Sequence, residues 1–291
     1  MSESFATRFA PSPTGYLHLG HAYSALCAHD AARAAGGRFL LRFEDIDQGR
    51  VREEYYAAIE GDLRWLGLEW DGEPMRQSAR FEAYDAALAQ LRARDLVYPC
   101  FCTRKEIAAE IRASASAPHG IDGPVYPGTC RAVAPAEREA RMADEAFAWR
   151  LDIERAAKLV GPLQWTDREL GRVKARPEDH GDIVLTRKDA PASYNLAVVV
   201  DDAAQGVTDV VRGNDLVAAT DLQRLLQELL GLPEPRYWHH ELVTDDAGKR
   251  LAKRDDARSL RTLREAGADP AAIVAALREG PQVPDAALRS R

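Results

Sequence analysis

Arg8-Phe-Ala-Pro-Ser-Pro-Thr-Gly-Tyr-Leu-His-Leu-Gly-His21 decides how the rest of the chain is understood. Arg8 to Ala10 is extended in pattern, the Pro/Gly run after it forces a turn, and an apolar helix begins near Gly20. His18 and His21 stand three residues apart at that junction. A helix N-terminus presents unpaired N–H groups and the positive end of a dipole, so phosphate is a natural guest there. The spacing puts both imidazoles on one face, where their donors reach the same anion. The plainer alternative is a capping turn that happens to hold two histidines.

Working outward, residues 5–10 predict a strand and 20–35 a helix closed by Gly36-Gly37. Arg38 to Phe43 predicts a second strand, ending in the acidic turn Glu44-Asp-Ile-Asp47. Helices are expected over 52–66 and 79–94 from apolar spacings of three and four. Strand-helix-strand-helix order with a phosphate-type turn after the first strand implies a parallel α/β sheet that binds a nucleotide at its strand ends. The character changes at Tyr98. Residues 98–131 carry three clustered cysteines and the loop-like Ala113-Ser-Ala-Ser-Ala-Pro-His-Gly, and short strands and turns dominate from Ala148 to Val184, as in an inserted α+β lobe. The sheet pattern is expected to return at Ser193-Tyr-Asn-Leu-Ala-Val-Val-Val-Asp-Asp202, followed by Asp209-Val-Val-Arg-Gly-Asn-Asp215. A helix over 219–230 ends at Gly231-Leu-Pro, and the basic remainder is expected to be helical to about Arg278.

At 291 residues, two or three lobes are expected. A chain 46% apolar and 29% charged has the balance of a soluble globular protein. No apolar run approaches a membrane span and the N-terminus is too polar for a signal peptide, so a cytoplasmic protein beginning near Met1 is expected. The net charge of −7 argues against a general nucleic-acid coat. Basic residues are nevertheless focused. Lys249 to Arg264 holds seven against two acidic ones, and Arg168, Arg172, Lys174 and Arg176 form a second patch. Each alone reads first as a solvated helix face, although nucleic acid binds at such foci.

Four cysteines do not make a disulfide framework in a chain of this size, and their clustering favours a metal site in a reducing compartment. Cys100, Cys102 and Cys130, with Tyr126 between them, make a Cys-x-Cys…Tyr-x-x-x-Cys set able to close a four-ligand structural zinc site. Tyrosine is an unusual fourth ligand, so water and His119 stand as substitutes. Cys27 reads as core, and His29 and His180 as structural or surface residues. For His239-His240, capping or packing is preferred to lining a nucleotide site.

The His18-to-His21 pattern with its Ala-Pro-Ser-Pro-Thr-Gly lead-in resembles the signature of class I aminoacyl-tRNA synthetases, in the glutamyl/glutaminyl branch. Arg250-Leu-Ala-Lys-Arg254 resembles the Lys-Met-Ser-Lys-Ser loop of that class, with Lys253 at the catalytic lysine and Arg250, Ala252 and Arg254 as departures. Arg42-Phe-Glu-Asp-Ile-Asp47, the Tyr194 segment and Val210-Val-Arg-Gly-Asn-Asp215 are similar to three further elements of the branch. The resemblance implies a Rossmann-like class I synthetase catalytic domain (α/β) with an inserted zinc-containing α+β lobe and a short C-terminal helical segment. The expected divisions are 1–97 and 193–240 for the two catalytic halves, 98–192 for the acceptor-binding-like lobe, and 241–291 for the lysine loop and helical segment. It also implies that ATP with Mg²⁺ binds at His18, Gly20, His21 and Lys253, with His18, His21 and Lys253 catalytic. Glutamate needs partners for two carboxylates and an ammonium. The resemblance assigns Arg8 and Arg212 to the carboxylates, Glu44 to the amino group, Tyr194 to closing the pocket and Ser12 to a further hydrogen bond. Asp201 and Asp215 carry weaker expectations.

The sequence ends 37 residues after Arg254, without the helical anticodon-binding region of full-length glutamyl-tRNA synthetases. That ending, the cysteine arrangement and Leu216 after Asp215 resemble shortened paralogues of the branch. Such a paralogue is expected to activate L-glutamate with ATP and transfer it to queuosine in the anticodon stem-loop of tRNA(Asp), as a monomer. The alternatives are a shortened enzyme charging the 3′ end of tRNA(Glu), and a non-catalytic synthetase paralogue.

Overall fold

A computed structural model of the chain describes residues 4–113, 119–120, 123–188, 190–244 and 259–282. The first strand, β1 (Ala6–Phe9), is buried along its whole length and leads through the Pro/Gly turn into α1 (Leu19–Ala34) and β2 (Arg38–Phe43). β2 pairs parallel with β1, from Ala6 opposite Arg38 to Phe9 opposite Leu41. A parallel pair needs a crossover, and α1 supplies it. A Cβ on Gly37 would lie 2.2 Å from the Phe5 carbonyl oxygen, so glycine is what lets β2 start so close to β1. After α2 (Glu53–Trp65), β3 (Met75–Arg76) joins β2 in parallel.

The middle of the chain runs through α3 (Phe81–Ala93), β4 (Val97–Cys100), α4 (Arg104–Ala113), β5 (His119–Gly120), β6 (Gly123–Pro124) and α5 (Pro135–Asp144). It continues with β7 (Ala148–Leu151), α6 (Ile153–Val160), β8 (Gln164–Asp167) and β9 (Gly171–Lys174). The last third comprises α7 (Tyr194–Gln205), β10 (Asp209–Gly213), α8 (Val217–Leu230), β11 (Arg236–His240), α9 (Leu260–Glu265) and α10 (Pro270–Glu279). The strands form a β1-β2-β3 sheet and a β10-β11-β8-β9 sheet, with two short antiparallel pairs, β4-β7 and β5-β6. The two larger sheets meet where Ala6 N–H donates to Thr208 Oγ1 (2.9 Å) and Thr208 N–H donates to the Ala6 carbonyl (3.0 Å). That seam is a change of direction in strand order, the place where open α/β sheets leave a crevice at their strand ends.

Apolar burial follows the same division. Phe9, Leu19, Phe39, Ile59 and Leu63 pack with Leu260, Ile273 and Leu277, so the C-terminal helices close the first sheet. Tyr84, Leu151, Trp165, Leu196, Leu225 and Tyr237 share a second core. A small third core holds Tyr98, Cys100, Phe101, Tyr126 and Cys130. Within 98–192, therefore, the cysteine region has a core of its own, whereas Leu151 and Trp165 pack with α7 and α8, and β8 pairs with β11. No described helix is long and apolar enough to cross a membrane.

Three sequence expectations are corrected. Within the stretch expected to be helical to about Arg278, Arg236–His240 form strand β11. Residues 193–202, expected to continue the sheet, begin helix α7, which Gly206 closes in the left-handed region (φ 65°). The Val198–Val200 run favours a strand by propensity, but tertiary pairing overrides it. On a helix, Asp201 and Asp202 diverge enough to reach separate arginines: Asp201 takes Arg80 (2.6 Å), and Asp202 takes Arg8 (3.0 Å) and Arg42 (2.7 Å). The basic patch at Arg168, Arg172 and Lys174 is not on a helix face. It sits on and between antiparallel strands β8 and β9.

Candidate active site

The turn after β1, the start of α1, the ends of β2, β10 and β11 and the start of α7 enclose a cavity of about 670 Å³. Arg8, Ser12, His18, Gly20, His21, Glu44, Tyr194 and Arg212 all line it. These are eight of the residues singled out from sequence; Lys253 and its loop lie outside the described residues. The Glu44 amide donates to the Pro11 carbonyl (3.0 Å), which ties the end of β2 to the turn that carries Ser12.

The histidine corner is built by capping. His18 is the N-cap of α1, and its Nδ1 accepts from the Gly20 amide (3.1 Å). His21 Nδ1 accepts from the His18 amide (3.2 Å), completing a reciprocal box. Each neutral ring therefore carries its proton on Nε2. The rings lie 3.8 Å apart between centroids with a 32° tilt. One helix N–H expected to hold an anion is thus engaged by His18, and the imidazole Nε2–H groups become the donors of this corner. A Cβ on Gly20 would meet His18 Cε1 at 3.0 Å, crowding the ring that makes the cap.

Opposite stands a charged wall. Arg8 Nε donates to Asp202 Oδ1 (3.0 Å) and its Nη1 to the Val211 carbonyl (3.3 Å), so β1, α7 and β10 are joined through one side chain. Arg42 donates through Nη1 to Asp202 (2.7 Å) and Gln205 (2.9 Å). Its Nη2 stands 3.7 Å from Glu44 Oε1, and its buried Nε and Nη2 have no hydrogen-bond partner among the described residues. Burial pushes Glu44 up to about 7 against the pull of Arg42 and Arg8. Asp202 is equally enclosed, yet Arg8 and Arg42 overcome burial and hold it below the usual carboxylate range.

Arg212, on β10, makes five donor contacts. Nε donates to His239 Nε2 (3.1 Å), Nη1 to Gln223 Oε1 (2.8 Å) and Tyr194 Oη (3.4 Å), and Nη2 to Thr220 Oγ1 (2.7 Å) and the Leu216 carbonyl (3.3 Å). His239 Nδ1 faces Asp167 Oδ2 at 2.8 Å. Burial, then the Arg212 charge, lower His239 to about 4, with Asp167 opposing. His240 also lines the cavity. Its Nε2 lies 3.1 Å from Ser24 Oγ, and burial lowers its pKa. Both histidines thus belong to the site or its support, contrary to the packing preference from sequence. Arg42 heads the Arg-Phe-Glu-Asp-Ile-Asp element without a role of its own in the sequence reading, and Asp202, Thr220 and Gln223 carry no signal beyond the Asp-Asp pair and the three-residue spacing on α8. Asp215 lines the cavity; Asp201 instead is held by Arg80, Gln77 and Tyr84.

Away from the cavity, the Sγ atoms of Cys100, Cys102 and Cys130 lie within 4.8 Å of one another, Cys102 and Cys130 at 3.4 Å. Tyr126 Oη is 3.5 Å from Cys100 Sγ and 3.6 Å from Cys102 Sγ, and accepts from the Cys130 amide (2.9 Å). Zinc–thiolate bonds of about 2.3 Å in a tetrahedron place sulfurs roughly 3.8 Å apart, so the three thiols suit a metal. Hydrogen bonds, led by that to Tyr126, outweigh burial and lower the Cys130 thiol, while burial raises Cys102 to about 12. Cys27 is buried on α1, as expected of core. His29 sits beside Asp30 and edge-on to Phe39.

The family model for the catalytic domain of class I tRNA synthetases (E and Q) matches residues 4–285. A Rhodobacter capsulatus protein named glutamyl-Q tRNA(Asp) synthetase is 52% identical over 92% of this chain and 97% of its own. A Deinococcus radiodurans protein of the same name is 49% identical over 93% of this chain and 86% of its own. Among solved structures, a glutamate tRNA ligase from Elizabethkingia meningosepticum, in complex with its amino acid, superposes with a TM-score of 0.78 at 27% identity. The Elizabethkingia anophelis glutamate-tRNA synthetase gives 0.79 at 27%. Both alignments cover 94% of this chain, which spans 60% and 61% of the length of those two proteins. The β1-turn-α1 corner, the sheet seam behind it and the identities along nearly the whole chain agree: the chain belongs to the class I tRNA synthetases (E and Q), with the relatives named glutamyl-Q tRNA(Asp) synthetase.

Proposed function

We propose that this chain is a ligase of the aminoacyl-tRNA synthetase type that activates L-glutamate with ATP and transfers it to queuosine in the anticodon of tRNA(Asp). One observation carries the activation half. A single cavity joins two Nε2–H imidazoles at a helix start to two arginines, a carboxylate and a tyrosine hydroxyl. The names of relatives 43–52% identical to the chain support the transfer half.

In this mechanism the ATP phosphates, with their Mg²⁺, sit at His18, Gly20 and His21. Glutamate lies across the cavity, its carboxylates toward Arg8 and Arg212, its ammonium toward Glu44, with Ser12 and Tyr194 at the pocket edge. The α-carboxylate attacks the α-phosphate and pyrophosphate leaves. No general base is needed, because the attacking carboxylate is ionised at neutral pH. His18 and His21 donate to phosphate oxygens where charge builds up, and Lys253 supplies a further cation to the leaving group. Tyr194 and Arg212 keep the substrate in register until a queuosine hydroxyl takes the acyl group and AMP leaves. Zinc would be held by Cys100, Cys102 and Cys130 with Tyr126 as fourth donor. It would fasten β4 to the Cys130 turn, a structural role.

The deciding experiment incubates the enzyme with ATP, radiolabelled glutamate and bulk tRNA, then digests the product with nuclease. Label on a queuosine nucleoside from tRNA(Asp) is expected. Label leaving with a 3′-terminal adenosine would move the acceptor to tRNA(Glu). No glutamate-dependent ATP–pyrophosphate exchange by folded protein would end the catalytic reading.

A further inference from the structure

Arg212 is held differently from its two sides. Its three shortest contacts, to His239 (3.1 Å), Gln223 (2.8 Å) and Thr220 (2.7 Å), go to residues that do not line the cavity. Its two longest, to Tyr194 (3.4 Å) and Leu216 (3.3 Å), go to residues that do. Guanidinium has five N–H groups, and five acceptors face them. Each terminal nitrogen has one short bond behind and one long bond in front. A carboxylate entering from the cavity therefore exchanges the two long bonds and takes one N–H from each terminal nitrogen, the fork-on-fork arrangement arginine makes best. That outcome requires the Nε edge to stay anchored from behind.

His239 is the group behind that edge, and its protonation pattern is set by geometry. Arg212 and His239 are direct partners in the parallel β10–β11 ladder, so both side chains leave the same face of the sheet. Tyr237, two residues earlier, is paired with Asp167 at the end of β8, which brings the Asp167 carboxylate to the far side of the imidazole. Asp167 is itself fixed: Oδ1 accepts from the Glu169 (2.8 Å) and Leu170 (2.9 Å) amides, and Oδ2 accepts from the His239 amide (3.1 Å). The Asp167 carboxylate faces Nδ1. The donating Arg212 Nε–H and the Thr220 hydroxyl (3.2 Å), which can donate or accept, face Nε2, so the neutral Nδ1–H ring satisfies all three neighbours. An Nε2–H tautomer or an imidazolium would set donor against donor beside a fixed cation. Burial, which depresses the imidazole's basicity, acts in the same direction.

We propose that His239, oriented by Asp167, is a positioning residue that fixes Arg212 from behind so that its two terminal nitrogens present one N–H each to a substrate carboxylate. The inference rests on the assignment of Arg212 to the glutamate pocket. It adds a specificity device there: a ligand with a neutral amide in place of that carboxylate would set its NH2 donor-to-donor against one of the two nitrogens.

The test compares His239→Leu with His239→Gln in glutamate-dependent ATP–pyrophosphate exchange. Glutamine can accept from Arg212 and donate to Asp167, and it does not titrate; leucine does neither. His239→Leu is expected to raise the KM for glutamate by about tenfold or more with the KM for ATP nearly unchanged, as misplacement of a positioning group does. His239→Gln is expected to restore most of the loss. Equal damage by the two variants, or a parallel rise in the KM for ATP, would reduce His239 to a packing residue and overturn the proposal. Should the leucine variant fail to fold, long-range ¹H–¹⁵N spectra of the wild-type protein decide the matter. A His239 ring protonated on Nδ1 alone is expected, with Asp167→Asn removing that preference; an Nε2–H ring or an imidazolium in the wild type would refute it. If the wild-type enzyme shows no exchange with glutamate, the functional assignment fails by itself, and the spectra still report on the clamp.

Discussion

The two sides of the cavity are built on opposite principles. At the histidine corner the two capping bonds that orient the rings run between residues two or three positions apart. At Arg212 the anchors come from α8 and β11, and β8 stands behind them through Asp167. The capping bonds are local, although Leu260 N–H donates to the Leu17 carbonyl and so ties the turn to the C-terminal helices. A socket assembled from separate elements exists only when the sheet and the helix over it are complete. In the proposed mechanism the ligands follow the same division: phosphate meets two imidazoles set by short-range capping bonds, whereas a carboxylate meets a fork set in a packed core.

The strongest way to break the contrast is Arg212→Leu. It leaves five acceptors without their donor and removes the fork, so kcat/KM for glutamate in pyrophosphate exchange should fall by about a thousandfold, while ATP binding, followed by equilibrium dialysis, persists. On the other side, His21→Ala removes one phosphate donor and half of the capping box. Steady-state exchange should show kcat down by about a hundredfold with the KM for glutamate little changed. If both variants raised the KM for glutamate alike, the two sides would not be separable.

A third region sharpens the comparison because it touches neither side. Cys102→Ser is expected to abolish zinc in metal analysis and to lower the melting temperature by roughly 5 °C, leaving the KM for glutamate unchanged. Zinc absent from the wild-type protein would remove the metal assignment. The smallest effect concerns protons. Burial sets Glu44 at about 7 in the empty site, and only its ionised form pairs with the ammonium of glutamate. Raising the pH from 6 to 8 should therefore lower the KM for glutamate, by up to about tenfold per unit below 7 and with little change above it. Glu44→Gln should bind glutamate weakly at every pH and flatten the profile.

What sequence discloses tracks the same division. The corner is legible because cap, turn and histidines are contiguous, and the helix boundaries of α1, α2 and α3 lie within two residues of those read from periodicity. The arginines, Glu44 and Tyr194 were reachable only through family resemblance, since nothing local marks Arg212 as different from another strand-end arginine. Helix α7 departs from the strand that three consecutive valines suggest, and its partners lie far away in the chain: Arg8, Arg42 and Arg80 meet its two aspartates. His239 was undervalued for a related reason. Its role depends on a carboxylate 72 residues earlier that only strand pairing brings alongside.

The seam between Ala6 and Thr208 has a consequence for the life of the chain before it is an enzyme. Those residues are 202 positions apart. At bacterial and eukaryotic synthesis rates of about 5–20 residues per second, roughly 10–40 s separate the emergence of the two strands they begin. During that interval Ala6, at the start of β1, lacks the Thr208 partner that joins the two sheets. A nascent chain halted short of β10 has Arg8, Glu44 and the histidine turn, and lacks Arg212 and the His239 and Asp167 arrangement behind it. The proposed fork for a carboxylate therefore takes shape only after β11 has been made, late in synthesis.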